Sequence, residues 1–312
     1  MSDLERRIEG YIAFKQALGF DFAGEAQRLR SYLESTGGEG MTEDSALAWA
    51  CSGAGHPRSY QIQRYETVRR FSEFAHALDE DVPALQPGLL GKTGNRVVPY
   101  IYSKEDVVIL MNSARSLKSP DWLRGESMAF LIGLMSSCGL RISEALGLGD
   151  SDLDEAEGAL AIKKSKFGAS RAIALLPDVV DGIKRYRAFR DGVVPKPKAR
   201  QTIVTTGGKA LSQDSAEGMF SEIRWTLLGR GETFAGRMPR LHDARHSFAV
   251  ATILRWHREG EDVNALIPHL SAYLGHKKLS DTYWYLTGVP ELLAVAAEAF
   301  RGMGLGGDNG QH

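Results

Sequence analysis

Leu241-His242-Asp243-Ala244-Arg245-His246-Ser247-Phe248-Ala249 reads as the opening of a helix that carries an uncommon group of polar side chains. His242 and His246 stand four residues apart and so share a face, with Arg245 beside them. Three other short stretches have the same texture. Cys138-Gly139-Leu140-Arg141-Ile142-Ser143-Glu144 closes an apolar run from Met128 that is broken by Gly133, Ser136 and Ser137. That run is too short to span a bilayer and reads as a buried helix. Lys166 stands at the tip of a polar turn ahead of Arg171-Ala172-Ile173-Ala174-Leu175. Last comes Leu274-Gly275-His276, followed by Thr282-Tyr283-Trp284-Tyr285.

Together these stretches supply a definite chemistry. Two arginines present fixed forks of donors matched to phosphate oxygens. A lysine can supply a proton, and two histidines can donate hydrogen bonds or shuttle protons. A tyrosine becomes a usable oxygen nucleophile once a base or a positive field helps remove a proton of reference pKa about 10. Phosphoryl transfer needs mainly positioning and charge stabilisation, so the set suits attack on a phosphodiester with no metal and no cofactor.

Outward from these motifs the chain divides in two. Leu4, Ile8, Tyr11, Ile12 and Leu18 recur at helical spacing, Phe22–Leu33 continues the pattern, and Thr42 with Ser45 opens a short third helix. Arg58–Leu78 is the clearest helix, with Ile62, Tyr65, Val68, Phe71, Phe74 and Ala75 on one face and Arg58, Arg64, Arg69 and Arg70 on the other. Pro83, Pro87, Gly88, Gly91, Gly94 and Pro99 interrupt all periodicity. The expected division is a helical domain over 1–86, a linker over 87–102, a catalytic domain over 103–300 and a flexible tail over 301–312. Ser103 with Asp106 forms a capping-box start. Leu160 and Ile162, then Ile173 and Leu175, mark a β-hairpin, and from Pro177 to Phe300 the pattern is again helical. The fold class is therefore mainly α with a small β-hairpin or sheet.

Composition sets outer bounds. Among 312 residues, 43% are hydrophobic and 25% charged, as in ordinary globular chains. The net charge of −1 lacks the basic excess usual for a nucleic-acid binder. Yet Lys163–Arg200 and Arg224–Arg258 are rich in arginine and lysine, so charge permits DNA binding without proving it. Cys51 and Cys138 alone make a disulfide framework implausible and fit a reducing cytoplasm. Met1-Ser-Asp-Leu-Glu-Arg-Arg has no apolar core of a secretory signal, and no membrane association is expected.

In this order, the four motifs resemble the tyrosine recombinase (phage integrase) family, Xer-like and Cre-like enzymes included. Gly139-Leu140-Arg141-Ile142-Ser143-Glu144 is similar to its first arginine box, His242-x-x-Arg245 to its second, and Leu274-Gly275-His276 with Tyr285 to its third. The likeness covers roughly Ser103 to Phe300, and more loosely the helical core-binding domain before it. It implies a site-specific recombinase that cuts and rejoins duplex DNA through a 3′-phosphotyrosyl intermediate, in integration, excision or transposition. By the same likeness Arg141 and Arg245 clamp the scissile phosphate and His276 adds a hydrogen bond. His242 assists proton removal or binds phosphate, Lys166 protonates the leaving 5′-hydroxyl, and Tyr285 attacks. Glu144 orients its neighbours. Lys164 and then Lys163 are the alternatives to Lys166, and Tyr283 is the alternative to Tyr285. The family hairpin often carries a further basic residue and a proline where this chain has Ala169 and Ala174. DNA contacts are expected from Arg58, Arg64, Arg69, Lys164, Arg171 and Arg240. The resemblance further implies a homo-oligomer that becomes a tetramer on two duplexes, with the helix over 289–300 exchanged between subunits. Phrases such as Asp281-Thr-Tyr-Trp-Tyr-Leu resemble recombinases that mobile elements carry in sets of three, which implies companion recombinases.

Two other readings compete. His242 and His246 have the spacing of a zinc hydrolase pair, but Asp243 is short for the base, Arg245 would crowd the metal and no third ligand motif follows. A DNA-binding protein of the same fold without catalysis would show erosion among the motif residues, and none is eroded. Asp150, Asp152 and Asp154 mimic a calcium loop, yet Glu155 and Ala161 occupy its glycine and glutamate positions.

Overall fold

The computed structural model describes residues 2–20, 22–53, 55–91, 98–163, 170–232, 234, 238–276, 278–288 and 292. Its chain forms two compact units, Met1–Val97 and Val98–His312.

In the first unit four helices surround one core: α1 (Asp3–Ala17), α2 (Ala23–Ser35), α3 (Glu43–Cys51) and α4 (Arg58–Leu78). Ser2 with Glu5, and Thr42 with Ser45, satisfy the first free N–H groups of α1 and α3 through capping boxes. Ile62, Tyr65, Val68 and Phe71 form the buried stripe of α4 against Ile8, Leu29, Tyr32 and Trp49. Two arginines on α4 do not form the expected phosphate-facing stripe. Arg64 is buried, donates to the Ser52 carbonyl at 2.7 Å and lies 4.1 Å from the Trp49 ring centre. Its charge is spent on tying α4 to the end of α3. Arg69 is largely buried between Glu66 and Glu73, whereas Arg58 is exposed.

The second unit is built on α6 (Leu123–Cys138), whose residues Leu123, Met128, Ala129, Leu131, Ile132, Leu134, Met135 and Cys138 are buried, while Arg124 and Ser137 lie on its open side. Around it pack α5 (Lys104–Arg115), α8 (Pro177–Val193), α9 (Gln213–Gly229) and α10 (Asp243–Arg258). The short α7 (Ile142–Gly147) follows α6, and α11 (Val263–Leu274) and α12 (Ser280–Gly288) complete the helices. Ser103 caps α5 with Asp106, as the sequence suggests. Three antiparallel strands, β1 (Leu153–Asp154), β2 (Ala159–Ile162) and β3 (Arg171–Ala174), pair in the order β1-β2-β3, with Leu160 opposite Ile173. The expected hairpin is thus β2–β3, and its tip, 164–169, lies outside the described residues, as do most of 289–300 and the tail.

Helical structure does not run unbroken from Pro177. Between α8 and α9 the chain makes irregular bridges, Gly149 to Gln201 and Val204 to Ala210. Buried Arg190 holds this segment, bonding Asp150 and the Thr202 carbonyl. Within 87–102, Leu90 is buried in the first core and Tyr102 in the second. Both cysteines are free. Among the described residues no helix is long and apolar enough to cross a membrane.

Candidate active site

Two helix ends create the site. Gly139 closes α6 and Gly275 closes α11, each in the left-handed conformation at φ 60° and 66° that glycine adopts without strain. The last carbonyls of a helix lack intrahelical donors and carry its negative end. Here they receive guanidinium groups. Arg245 donates to the Gly139 carbonyl at 2.8 Å and to the Leu274 carbonyl at 2.5 Å. Arg141 donates to the Gly275 carbonyl at 2.7 Å, and Arg171 to the Tyr273 carbonyl at 2.7 Å.

Glu144, 3% exposed, is the shared anion. Its carboxylate accepts from the Arg141 backbone at 3.0 Å and from the Arg141 guanidinium at 2.8 Å. Both forks of Arg171 also reach it, at 2.9 and 3.0 Å, and Arg245 is 3.9 Å away. Burial alone would raise this carboxyl. The bonds from Arg171 and Arg141 override that and hold it at about 2. Arg171, expected as a DNA contact, is therefore committed to Glu144 and α11 inside the protein. Arg245 is 2% exposed; burial, followed by the nearby charge of Arg141, lowers it to about 10, so it stays cationic at neutral pH.

His242 sits at the start of α10, walled in on its inner side but open to solvent on the other. That partial burial comes first, and the charges of Arg245, Arg240 and Arg141 add to it. Against the weaker pull of Asp243 they push the imidazole down to about 4. Arg240 is half exposed and bonds the fully buried Asp243 at 3.0 Å. The His276 Nδ1 lies 2.7 Å from the buried Thr282 hydroxyl, and its ring stacks over that of Tyr285 with centres 6.5 Å apart. Tyr285 is 1% exposed, close enough to Arg245 to act on its charge, and its oxygen lies 2.9 Å from the His246 Nδ1. Tyr283 faces solvent.

The fold thus gathers Arg141, Glu144, Arg171, His242, Arg245, His276 and Tyr285 from α7, β3, α10, α12 and the turn after α11. Lys166 and Lys164 lie outside the described residues, and Lys163 pairs with Asp152. In the sequence His246 belongs to the stretch that matches the second box and to the zinc-like pair, with no role of its own, and nothing local singles out Thr282. Among the described residues no group of three or more histidine, cysteine or acidic side chains could hold a metal ion.

The phage integrase family model matches residues 102–289, from the entry to α5 through α12. The chain belongs to the phage integrase family. This tyrosine recombinase family member is 34% identical over 300 residues to the putative integrase/recombinase y4rE of Sinorhizobium fredii (strain NBRC 101917 / NGR234), covering 95% of each chain. It is 30% identical over 241 residues to the tyrosine recombinase XerC of Rhodospirillum centenum (strain ATCC 51521 / SW), covering 76% of this chain and 64% of that one. In fold it is similar to the Tn1549 transposon integrase in complex with a circular intermediate DNA, with TM-score 0.66, 16% identity and coverage of 96% and 100%. It is also similar to the XerH site-specific recombinase bound to difH, post-cleavage, with TM-score 0.62, 17% identity and coverage of 89% and 79%. Enzymes of this family cleave and rejoin DNA, and the chain is one of them.

Proposed function

We propose that this recombinase cuts one strand of a specific duplex by attack of Tyr285 on the scissile phosphate, leaving a 3′-phosphotyrosyl link and a free 5′-hydroxyl. The observation that carries the reading is convergence: Arg141 and Arg245 meet around Glu144, and the Tyr285 phenol lies within reach of the Arg245 charge. Two cations fixed from behind by backbone carbonyls need little reorganisation to receive a phosphate whose charge grows in the transition state. His242, neutral at working pH, serves as a hydrogen-bond donor to a phosphate oxygen rather than as a strong base. His276, oriented by Thr282, gives a second such bond. Lys166 on the hairpin protonates the leaving oxygen, with Lys164 and Lys163 as alternatives. The phosphotyrosyl bond conserves the energy of the cut strand, so rejoining needs no nucleotide.

The partner is double-stranded DNA. The first unit contacts the DNA through residues that include Arg58, and the second unit, with Arg240 among its contacts, carries the chemistry. Two duplexes are joined in a homotetramer whose 289–300 segments are exchanged between subunits. The enzyme acts in the cytoplasm on a mobile element, alongside companion recombinases.

The test begins with a site selected from random-sequence DNA by the wild-type protein, followed by duplexes nicked at successive positions across it. A protein–DNA adduct that survives denaturant is expected from wild type and Tyr283→Phe and is expected to vanish in Tyr285→Phe. Arg141→Ala is expected to abolish the adduct while keeping most DNA binding, because backbone contacts elsewhere persist. An adduct that persists in Tyr285→Phe would remove Tyr285 from the reaction.

A further inference from the structure

A phenol of reference pKa about 10 attacks at neutral pH most readily when a base in hydrogen-bond reach takes its proton. The motif-derived roles give His242 either this task or phosphate binding, and its surroundings make it a weak base. The contact with the Tyr285 oxygen belongs instead to a residue that those roles leave out. His246 is one turn further along α10 than His242, and its Nδ1 lies 2.9 Å from the phenolic oxygen. Its ring is wedged between aromatic neighbours, edge-on to His242 at 5.0 Å, to Tyr285 at 5.6 Å and to Trp284 at 6.3 Å between centres. In the tautomer protonated on Nε2, Nδ1 offers a lone pair along the phenolic O–H.

We propose that His246 is the base of strand cleavage, its Nδ1 taking the Tyr285 proton as the phenol attacks phosphorus. The assignment rests on the reading of Tyr285 as nucleophile. In the step the phenolic O–P bond forms and the bond from phosphorus to the 5′-oxygen breaks. The phenolic proton passes to His246, and the 5′-oxygen takes a proton from the general acid. In rejoining, the proton returns from His246 to the phenolic oxygen as the O–P bond breaks. Among the described residues, the charged and titratable groups around the pair include His242, Asp243 and Arg245 at the start of α10, Tyr285 on α12 and His276 beyond α11, with Arg141 and Glu144 behind Arg245. The Arg245 charge favours the phenolate and so helps the transfer. The i,i+4 spacing puts His242 toward the phosphate and His246 toward the nucleophile on one helical face, dividing phosphate binding from proton removal.

The experiment uses the full chain and the nicked, selected duplexes described above, and measures single-turnover adduct formation. In His246→Ala the rate is expected to fall about 100-fold or more, with DNA affinity and melting temperature little changed. His246→Asn can still accept the phenolic hydrogen bond but cannot take the proton, and its rate should stay low. Imidazoles added to His246→Ala should restore cleavage in order of their basicity. If the alanine variant melts below the assay temperature, the asparagine variant carries the same expectation. Three results would overturn the assignment: a His246→Ala rate within about threefold of wild type, full recovery in His246→Asn, or faster cleavage in either. Faster cleavage would mean that the contact restrains the phenol. If wild type forms no adduct, or Tyr285→Phe still does, the reading of the site fails first and this assignment falls with it.

Discussion

Glu144 neutralises cations that would otherwise repel one another inside the protein, and this makes its removal costly in a predictable way. Its carboxyl is held at about 2 against an ordinary 4.5, a displacement worth about 3 kcal/mol to the folded state. Because the folded value is the lower one, the stabilisation is complete above about pH 4.5 and disappears as pH falls toward 2. Glu144→Gln should therefore lower the melting temperature at pH 7 by roughly 6–12 °C in calorimetry. The gap between variant and wild type should close as pH falls through that window. His242 gives a second check at the same scale. Its folded value, about 4, lies below the ordinary 6.5, so in free protein its ring protons should titrate below pH 5 by NMR. A phosphate docking beside it favours the charged form, so DNA should move that titration upward. A free-protein titration near 6.5 would contradict the partial burial and cationic surroundings described for the ring.

At the scale of elements, the joints between helices carry the specificity of the site. A β-carbon at Gly139 would fall 2.5 Å from the Phe248 ring, at a φ that disfavours any side chain. Gly139→Ala should cost about 1–3 kcal/mol in denaturant unfolding. It should also displace the carbonyl that holds Arg245, lowering adduct formation beyond what the stability loss explains. This joint was visible in the sequence as Cys138-Gly139-Leu140-Arg141 after an apolar run. The caps at Thr42 and Ser103, the stripe of α4 and the β2–β3 pairing were equally legible, because each depends on residues a few positions apart. What could not be read depends on distant partners. Nothing local distinguishes Arg64, stacked on Trp49, from Arg58, which faces solvent on the same helix. Arg171 looked like a surface cation because its acceptors, Glu144 and the Tyr273 carbonyl, are remote in sequence. The shared face of His242 and His246 was evident from their spacing, but the phenol that meets one of them lies 39 residues on. The irregular bridges between α8 and α9 have no periodicity to detect.

For the whole molecule, the question is how a chain of net charge −1 holds a polyanion. The basic stretches overstate the available field, since Arg171, Arg187 and Arg190 are already paired with carboxylates, as is Arg69 on α4. Buried pairs such as Arg171–Glu144 will not exchange for phosphate, because breaking them strands a charge in the interior. Exposed pairs such as Arg30–Glu9 and Arg124–Glu222 are worth at most about 1 kcal/mol and can yield. Binding should therefore draw on a small set of cations: the arginines at the site and a few surface residues on each unit. Each phosphate neutralised contributes about −0.9 to the slope of log affinity against log salt, so five contacts per protomer give roughly −4.5. Fluorescence anisotropy on the selected duplex between low and physiological salt measures this directly. A slope near zero would mean that phosphates are not what the protein grips. In that case the fixed guanidiniums at the ends of α6 and α11 would have no anion to receive.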